Sequence, residues 1–85
     1  MHTKTKKKYI LYGTLGCHLC DYAQQVLSQA QYVLPIVWQE VDIALDQNLM
    51  TKYASSIPVL KSADDGQELK WPFSVLDVQR LQNQQ

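Results

Sequence analysis

Apolar and polar positions alternate along the first half of the chain in a pattern that predicts strand, helix, strand. Residues 9–12 form a short apolar run rich in β-forming side chains, and Gly13 ends it. Over residues 17–31 apolar side chains recur every three or four positions, which predicts a helix with one buried face. After Pro35, residues 36–41 are predicted to form a second strand.

The second half of the chain predicts another helix and a hairpin. Leu45, Leu49 and Tyr53 repeat every four residues, which predicts a short helix over residues 44–54. Pro58 then opens a third strand, which a turn with hairpin chemistry connects to a fourth. The turn occupies residues 64–66, the fourth strand residues 68–71, and Pro72 ends that strand.

A last helix is predicted to run to about residue 81, because Ser74 and Asp77 have the spacing of an N-terminal capping box. The order β-α-β-α-β-β-α predicts one α/β domain with a four-stranded mixed sheet flanked by helices. Its first two strands would be parallel and its last two antiparallel. We predict a flexible basic arm over residues 1–7, the domain over residues 8–81 and a frayed tail over residues 82–85.

Charge is balanced over the whole chain but not along it. The 85 residues contain 8 Lys and Arg and 8 Asp and Glu, so no overall charge attracts nucleic acid or an anionic membrane. Four lysines and no acid lie in residues 1–10, which leaves four basic and eight acidic residues in residues 11–85. We interpret the lysine cluster as a solvated arm, with a contact to nucleic acid or an acidic partner as the alternative.

The cysteine count and the N-terminus favour a cytoplasmic protein. Two cysteines are too few for the disulfide framework of a small secreted domain. The apolar run after the basic start is too short for a signal peptide, and no run approaches the length of a membrane span. In a reducing compartment, a close pair of thiols is more often catalytic or metal-binding than structural.

The two cysteines form a C-x-x-C motif between the first predicted strand and helix. This spacing puts Cys17 and Cys20 about one helical turn apart, within reach of a disulfide. At a helix N-terminus, free backbone N–H groups and the helix dipole stabilise a thiolate at Cys17. We therefore predict Cys17 as the nucleophile and Cys20 as the resolving thiol. His18 either tunes the pKa of Cys17 or is a solvated side chain. Gly13 and Gly16 are interpreted as giving a bulky partner close access to this loop.

The cysteine pair is also compatible with uses other than redox chemistry. Beyond the pair, the chain offers only His2 and His18 as soft metal ligands, so we expect no metal site within one chain. An iron–sulfur cluster shared by two chains is an open alternative. So is a protein-binding module in which the cysteines are idle, because cysteine is also an ordinary small core residue.

The C-x-x-C motif and the Ile57-Pro58 step about 40 residues later resemble the thioredoxin fold, and the small size resembles its glutaredoxin branch. More narrowly, residues 8–81 resemble a bacterial family of glutaredoxin-like proteins. The segments that carry this resemblance are Leu11-Tyr12-Gly13, Gly16-Cys17-His18-Leu19-Cys20, Ile57-Pro58-Val59-Leu60 and Trp71-Pro72-Phe73. The resemblance implies that Pro58 is cis and faces the disulfide in an apolar substrate groove, and that the backbone of Ile57 pairs with an extended substrate.

The chain departs from ordinary glutaredoxins where those proteins bind glutathione. His18-Leu19 replaces Pro-Tyr between the cysteines, and no basic residue precedes the motif. Trp71-Pro72-Phe73-Ser74 stands in place of Gly-Gly and an acidic pair. Residues 71–73 are predicted to pack under the last helix, with an apolar lip beside Cys17 as the alternative. We expect no bound cofactor, and glutathione is left open as a reductant despite the poorly matched motif.

Together these features predict a cytoplasmic, monomeric thiol–disulfide oxidoreductase. Its partner would be a protein disulfide or a small-molecule thiol, with no nucleic acid and no membrane involved. The alternatives are a non-catalytic thioredoxin-like binding module and a dimeric iron–sulfur carrier.

Overall fold

Four strands, three α-helices and one 3₁₀ turn follow one another along residues 7–33 and 35–82, which are the residues that the computed structural model describes. In chain order they are β1 (Lys7–Gly13), α1 (His18–Ala30), β2 (Ile36–Asp42), the 3₁₀ turn (Ile43–Leu45), α2 (Gln47–Tyr53), β3 (Val59–Ser62), β4 (Glu68–Lys70) and α3 (Val75–Gln82). The predicted order of strands and helices is confirmed.

The strands form one mixed sheet in the order β2-β1-β3-β4. β1 is parallel to β2 and antiparallel to β3, and β3 is antiparallel to β4. The parallel pair requires a crossover connection, which contains α1. Gly13 at the end of β1 is in register with Asp42 at the end of β2, and Tyr12 is in register with Val59 at the start of β3. The loop that carries the cysteines therefore leaves the sheet at the edge where β2 ends and β3 begins.

The two faces of the sheet carry separate buried clusters. Successive side chains of a strand point to opposite faces, so β1 contributes to both clusters. The α1–α3 face is formed by Tyr9, Leu11, Ala23, Leu27, Ala30, Ile36, Leu60, Phe73, Val78 and Leu81. The α2 face is formed by Tyr12, Ile43, Tyr53 and Val59. Full burial of a leucine such as Leu27 or Leu60 contributes about 1.5–3 kcal/mol to the free energy of unfolding. Because β1 has buried side chains in both clusters, it is packed on both of its faces.

The helix predicted over residues 44–54 is wrong as a single element. Asp42 caps the 3₁₀ turn by accepting the N–H of Ala44 at 2.9 Å. Asp46 in extended conformation then caps α2 by accepting the N–H groups of Asn48 and Leu49. An aspartate cap starts a new helix and interrupts the four-residue repeat. Leu45 accordingly lies outside the buried stripe and is 86% exposed.

The ends of the described segments extend slightly past the predicted domain. β1 begins at Lys7 and α3 ends at Gln82, one residue outside the predicted bounds on each side. The rest of the predicted arm, with two of the four clustered lysines, and the rest of the predicted tail lie outside the described residues. None of the helices in the described part of the chain is long and apolar enough to cross a membrane.

Candidate active site

Cys17 and Cys20 are joined at the start of α1. Their Cα atoms lie 5.2 Å apart and their sulfur atoms are at disulfide-bonding distance. The two side chains differ in exposure, because Cys17 is partly exposed whereas Cys20 is buried, with only 7% of its surface accessible. A reagent approaching from solvent therefore reaches the sulfur of Cys17 first.

Cys17 is the N-cap residue of α1. Its backbone is extended, with φ −83° and ψ 107°, and its Sγ accepts the backbone N–H of Cys20 at 3.1 Å. Its carbonyl oxygen accepts the N–H of Asp21 at 3.4 Å. The first N–H groups of a helix have no partner inside the helix, and a sulfur at the cap satisfies one of them. A negatively charged sulfur in this position would accept the same bond more strongly.

The two glycines of the loop serve the fold in different ways. A Cβ atom added at Gly13 would lie 2.6 Å from Cys20 Sγ, so this position must be small for the cysteine to fit. Gly16 has φ +76°, a left-handed conformation that glycine adopts without strain, and its Cβ position is open. The small size of Gly13 is thus explained by the packing of Cys20, and its role in giving a partner access stays a prediction.

Apolar side chains project from the loop and from the first turn of α1. Leu15 is 90% exposed, and Leu19 is about half exposed. His18, the first residue of α1, is also exposed. The sequence pattern assigned Leu19 to the buried helix face and gave Leu15 no role. Leu15 and Leu19 each lie two residues from Cys17 in the sequence, and both expose apolar surface.

Ile57 and Pro58 precede β3 at the same edge of the sheet, and the peptide bond between them is cis. Pro58 is fully buried and does not contribute the exposed groove surface that the sequence led us to expect. Its carbonyl oxygen accepts the N–H of Trp71 at 3.1 Å. The N–H of Ile57 donates to the carbonyl oxygen of Tyr53 at 3.2 Å, so any pairing of Ile57 with a substrate would involve its C=O group.

A cavity of about 300 Å³ lies beside the disulfide, on the side of the cysteines that faces β2. It combines the β1–α1 loop, the first two turns of α1 and the last three residues of β2. Its lining residues are Leu11, Gly13, Thr14, Leu15, Gly16, Cys17, Cys20, Asp21, Gln24, Glu40, Val41 and Asp42. The β2 residues of this lining carry no recognisable signal in the sequence, because only the parallel register of β1 and β2 brings them to the cysteines.

Trp71 and Phe73 pack against the cluster on the α1–α3 face, with their rings edge to face at a centroid distance of 5.1 Å. This position favours the prediction that residues 71–73 pack under α3, and not the alternative that they form an apolar lip beside Cys17.

Among the described residues, no group of three or more His, Cys, Asp or Glu side chains has the arrangement of a metal site. His2, weighed as a ligand in the sequence, lies outside those residues.

Comparison with known proteins finds one matching family and solved structures of similar fold. The model of a glutaredoxin-like domain (DUF836) matches residues 8–83. The X-ray structure of the protein XcR50 from X. campestris is 34% identical over 87% of this chain and 93% of that one, with a TM-score of 0.78. The NMR structure of Ne2328 from Nitrosomonas europaea has a TM-score of 0.83 at 22% identity, over 95% of this chain and 96% of that one. The search of curated proteins gave no match.

Proposed function

This chain belongs to the glutaredoxin-like domain family DUF836, and on that premise we propose that it is a thiol–disulfide oxidoreductase. The observation that carries the proposal is the unequal pair at the start of α1. Cys17 is partly exposed and its Sγ accepts an amide N–H, while Cys20 is buried at disulfide distance from it. One sulfur is thus accessible for attack, and the second is protected for the internal step.

The proposed reaction takes two exchange steps. The thiolate of Cys17 attacks one sulfur of a substrate disulfide, forms a mixed disulfide with it and releases the other sulfur as a thiolate. The thiolate of Cys20 then attacks Cys17 Sγ, closes the Cys17–Cys20 disulfide and releases the second substrate thiolate. The substrate gains two electrons, the cysteine pair loses them, and the two cysteine protons pass through solvent to the released thiolates.

The protein acts in the cytoplasm and as a monomer. It needs no bound cofactor, because the electrons pass through the cysteines alone. Its substrate is a disulfide of a protein or of a small-molecule thiol, and an external reductant restores the reduced pair. His18 next to Cys17 assists formation of the thiolate, and the backbone of Ile57 aligns an extended substrate.

Trapping of mixed disulfides tests the division of labour between the cysteines. In Cys20→Ser the resolving step is absent, so we expect a reduced protein treated with 2-hydroxyethyl disulfide to gain one mercaptoethanol adduct on Cys17 by mass spectrometry. Cys17→Ser is the matched control and should gain adduct at least tenfold more slowly, because Cys20 is buried. Equal rates for the two variants would contradict the assignment of Cys17 as nucleophile.

A non-catalytic binding module is the second candidate, and the exposure of Leu15 and Leu19 favours it. The reduction potential separates the two functions. An oxidoreductase should show a reversible two-electron couple within the range of cellular thiol–disulfide proteins, about −120 to −270 mV. A pair that stays oxidised, or stays reduced, across this range would support the binding module instead.

A further inference from the structure

We propose that the cavity beside Cys17 and Cys20 holds a cationic group of the substrate, so that the protein prefers disulfides flanked by an ammonium or guanidinium group. This inference rests on the proposed function and adds to it the chemical class of the substrate. The cavity lies next to the reacting sulfurs, because both cysteines contribute to its wall. A group held there would belong to the same molecule as the disulfide that Cys17 attacks.

The register of the sheet gives the cavity its charge. Asp42 is the partner of Gly13 across the β1–β2 pair, and Gly13 is the residue in contact range of Cys20 Sγ. Glu40 lies two residues earlier on the same strand, and Asp21 joins the wall from the first turn of α1. Three acidic residues therefore belong to the wall of this cavity, the exposed Asp21 and Glu40 and the half-buried Asp42, and the lining contains no Lys, Arg or His.

Among residues 7–33 and 35–82, no basic side chain forms an ion pair with these carboxylates. Within residues 7–33 and 35–82, the ion pair that the structure shows is between Lys7 and Asp64, at the opposite end of β1. Asp42 accepts one backbone N–H, from Ala44, which leaves its charge in place. The charged residues of the lining are therefore all negative, which attracts a cationic group and repels an anionic one.

The rest of the lining suits the stem of a basic side chain. Leu11, Leu15 and Val41 supply apolar surface, and Gln24 supplies an amide oxygen that can accept from an N–H group. Lysine and arginine bury their methylene stems against apolar surface while their charged ends contact polar groups. The same carboxylates repel an anionic thiol such as glutathione, which agrees with the poor match to the glutathione motif in the sequence.

Charge-matched disulfides test this preference. The reduced protein is mixed with cystamine (cationic), 2-hydroxyethyl disulfide (neutral) or 3,3′-dithiodipropionate (anionic), and closure of the Cys17–Cys20 disulfide is followed. Each rate is divided by the rate of free 2-mercaptoethanol with the same disulfide, which removes intrinsic differences in reactivity. We expect cystamine to react about tenfold faster than the neutral disulfide, with the anionic one slowest, and the spread to collapse in high salt.

Glu40→Gln and Asp21→Asn are the test variants, each expected to lower the cystamine preference about threefold. Asp64→Asn is the matched control, since it removes the same charge from the far end of β1, about 20 Å away at the rise of a strand. Its preference should equal that of the unaltered protein. An unchanged preference in both test variants, or no charge preference at all, would overturn the inference. If none of the three disulfides oxidises the pair, the proposed function itself fails.

Discussion

Gly13 is the residue whose size is most tightly limited by the site. It ends the central strand of the sheet, and its Cβ position lies 2.6 Å from the sulfur of Cys20. Real Cβ atoms do not approach a neighbour this closely, and the sulfur is held by its bond to Cys17. Any side chain at this position must therefore displace either β1 or the start of α1.

Gly13→Ala should lower the free energy of unfolding of the oxidised protein by about 1–3 kcal/mol, which is the usual cost of overpacking. The backbone of Gly13 is not left-handed, so the cost comes from the contact with sulfur and not from the conformation of alanine. Urea unfolding measures it.

The matched control for this contact is the same substitution made together with Cys20→Ala, which removes the sulfur. The cost of Gly13→Ala should then fall by at least half, and a double-mutant cycle gives the difference. An equal cost in both backgrounds would show that Gly13 is small for another reason.

Among the helices, α3 has the most complete N-terminal cap. Ser74 Oγ accepts the N–H of Asp77 at 3.2 Å, and the Asp77 carboxylate accepts the N–H of Ser74 at 2.9 Å. The helix presents Val78 and Leu81 to the α1–α3 face, so its start fixes how these two side chains pack. The cap predicted from the sequence is present in the structure.

Ser74→Ala should lower the free energy of unfolding by about 1 kcal/mol, because it leaves an N–H of the first turn without its acceptor. Ser55→Ala, at an exposed position between α2 and β3, is the control and should change stability by less than about 0.5 kcal/mol. Thermal or urea unfolding of both variants measures the difference. A loss that is the same for the two serines would contradict the role of the cap.

Local patterns were sufficient to predict most of the elements, but they missed the break before α2 and the cavity beside the cysteines. The apolar run of residues 9–12 and the helical period after Cys17 predict β1 and α1, because burial on one side imposes those periods. The cap at Asp46 was overlooked because Leu45, Leu49 and Tyr53 continue a helical repeat across it. The cavity was not predictable from spacing, since Asp42 meets Gly13, which lies 29 residues earlier, only once β1 and β2 are paired in register.

Two buried tyrosines give the whole molecule a sensitivity to alkaline pH. Burial, with a smaller effect of Asp65 and Asp64, raises the pKa of Tyr9 to about 12. Burial also raises the pKa of Tyr53, helped by the hydrogen bond of its hydroxyl to Glu68. The folded chain therefore keeps two protons that the unfolded chain releases above about pH 10.

Because the folded state binds more protons in this range, stability is full below about pH 10 and falls as the pH rises toward 12. Each tyrosine contributes a slope of up to about 1.4 kcal/mol per pH unit. Urea midpoints between pH 9 and 11 should fall more gently in Tyr53→Phe than in the unaltered protein. Tyr32→Phe, at an exposed tyrosine, should leave the slope unchanged, and equal slopes in all three proteins would contradict the prediction.

The separation of the two buried clusters also divides the chromophores of the molecule. Trp38 and Trp71 both pack against the α1–α3 face, whereas Tyr12 and Tyr53 stack at a centroid distance of 4.5 Å on the α2 face. Tryptophan fluorescence therefore observes one side of the sheet, and near-ultraviolet circular dichroism of the tyrosine stack observes the other. Followed together, the two signals report whether the layers of the domain separate at once or in turn.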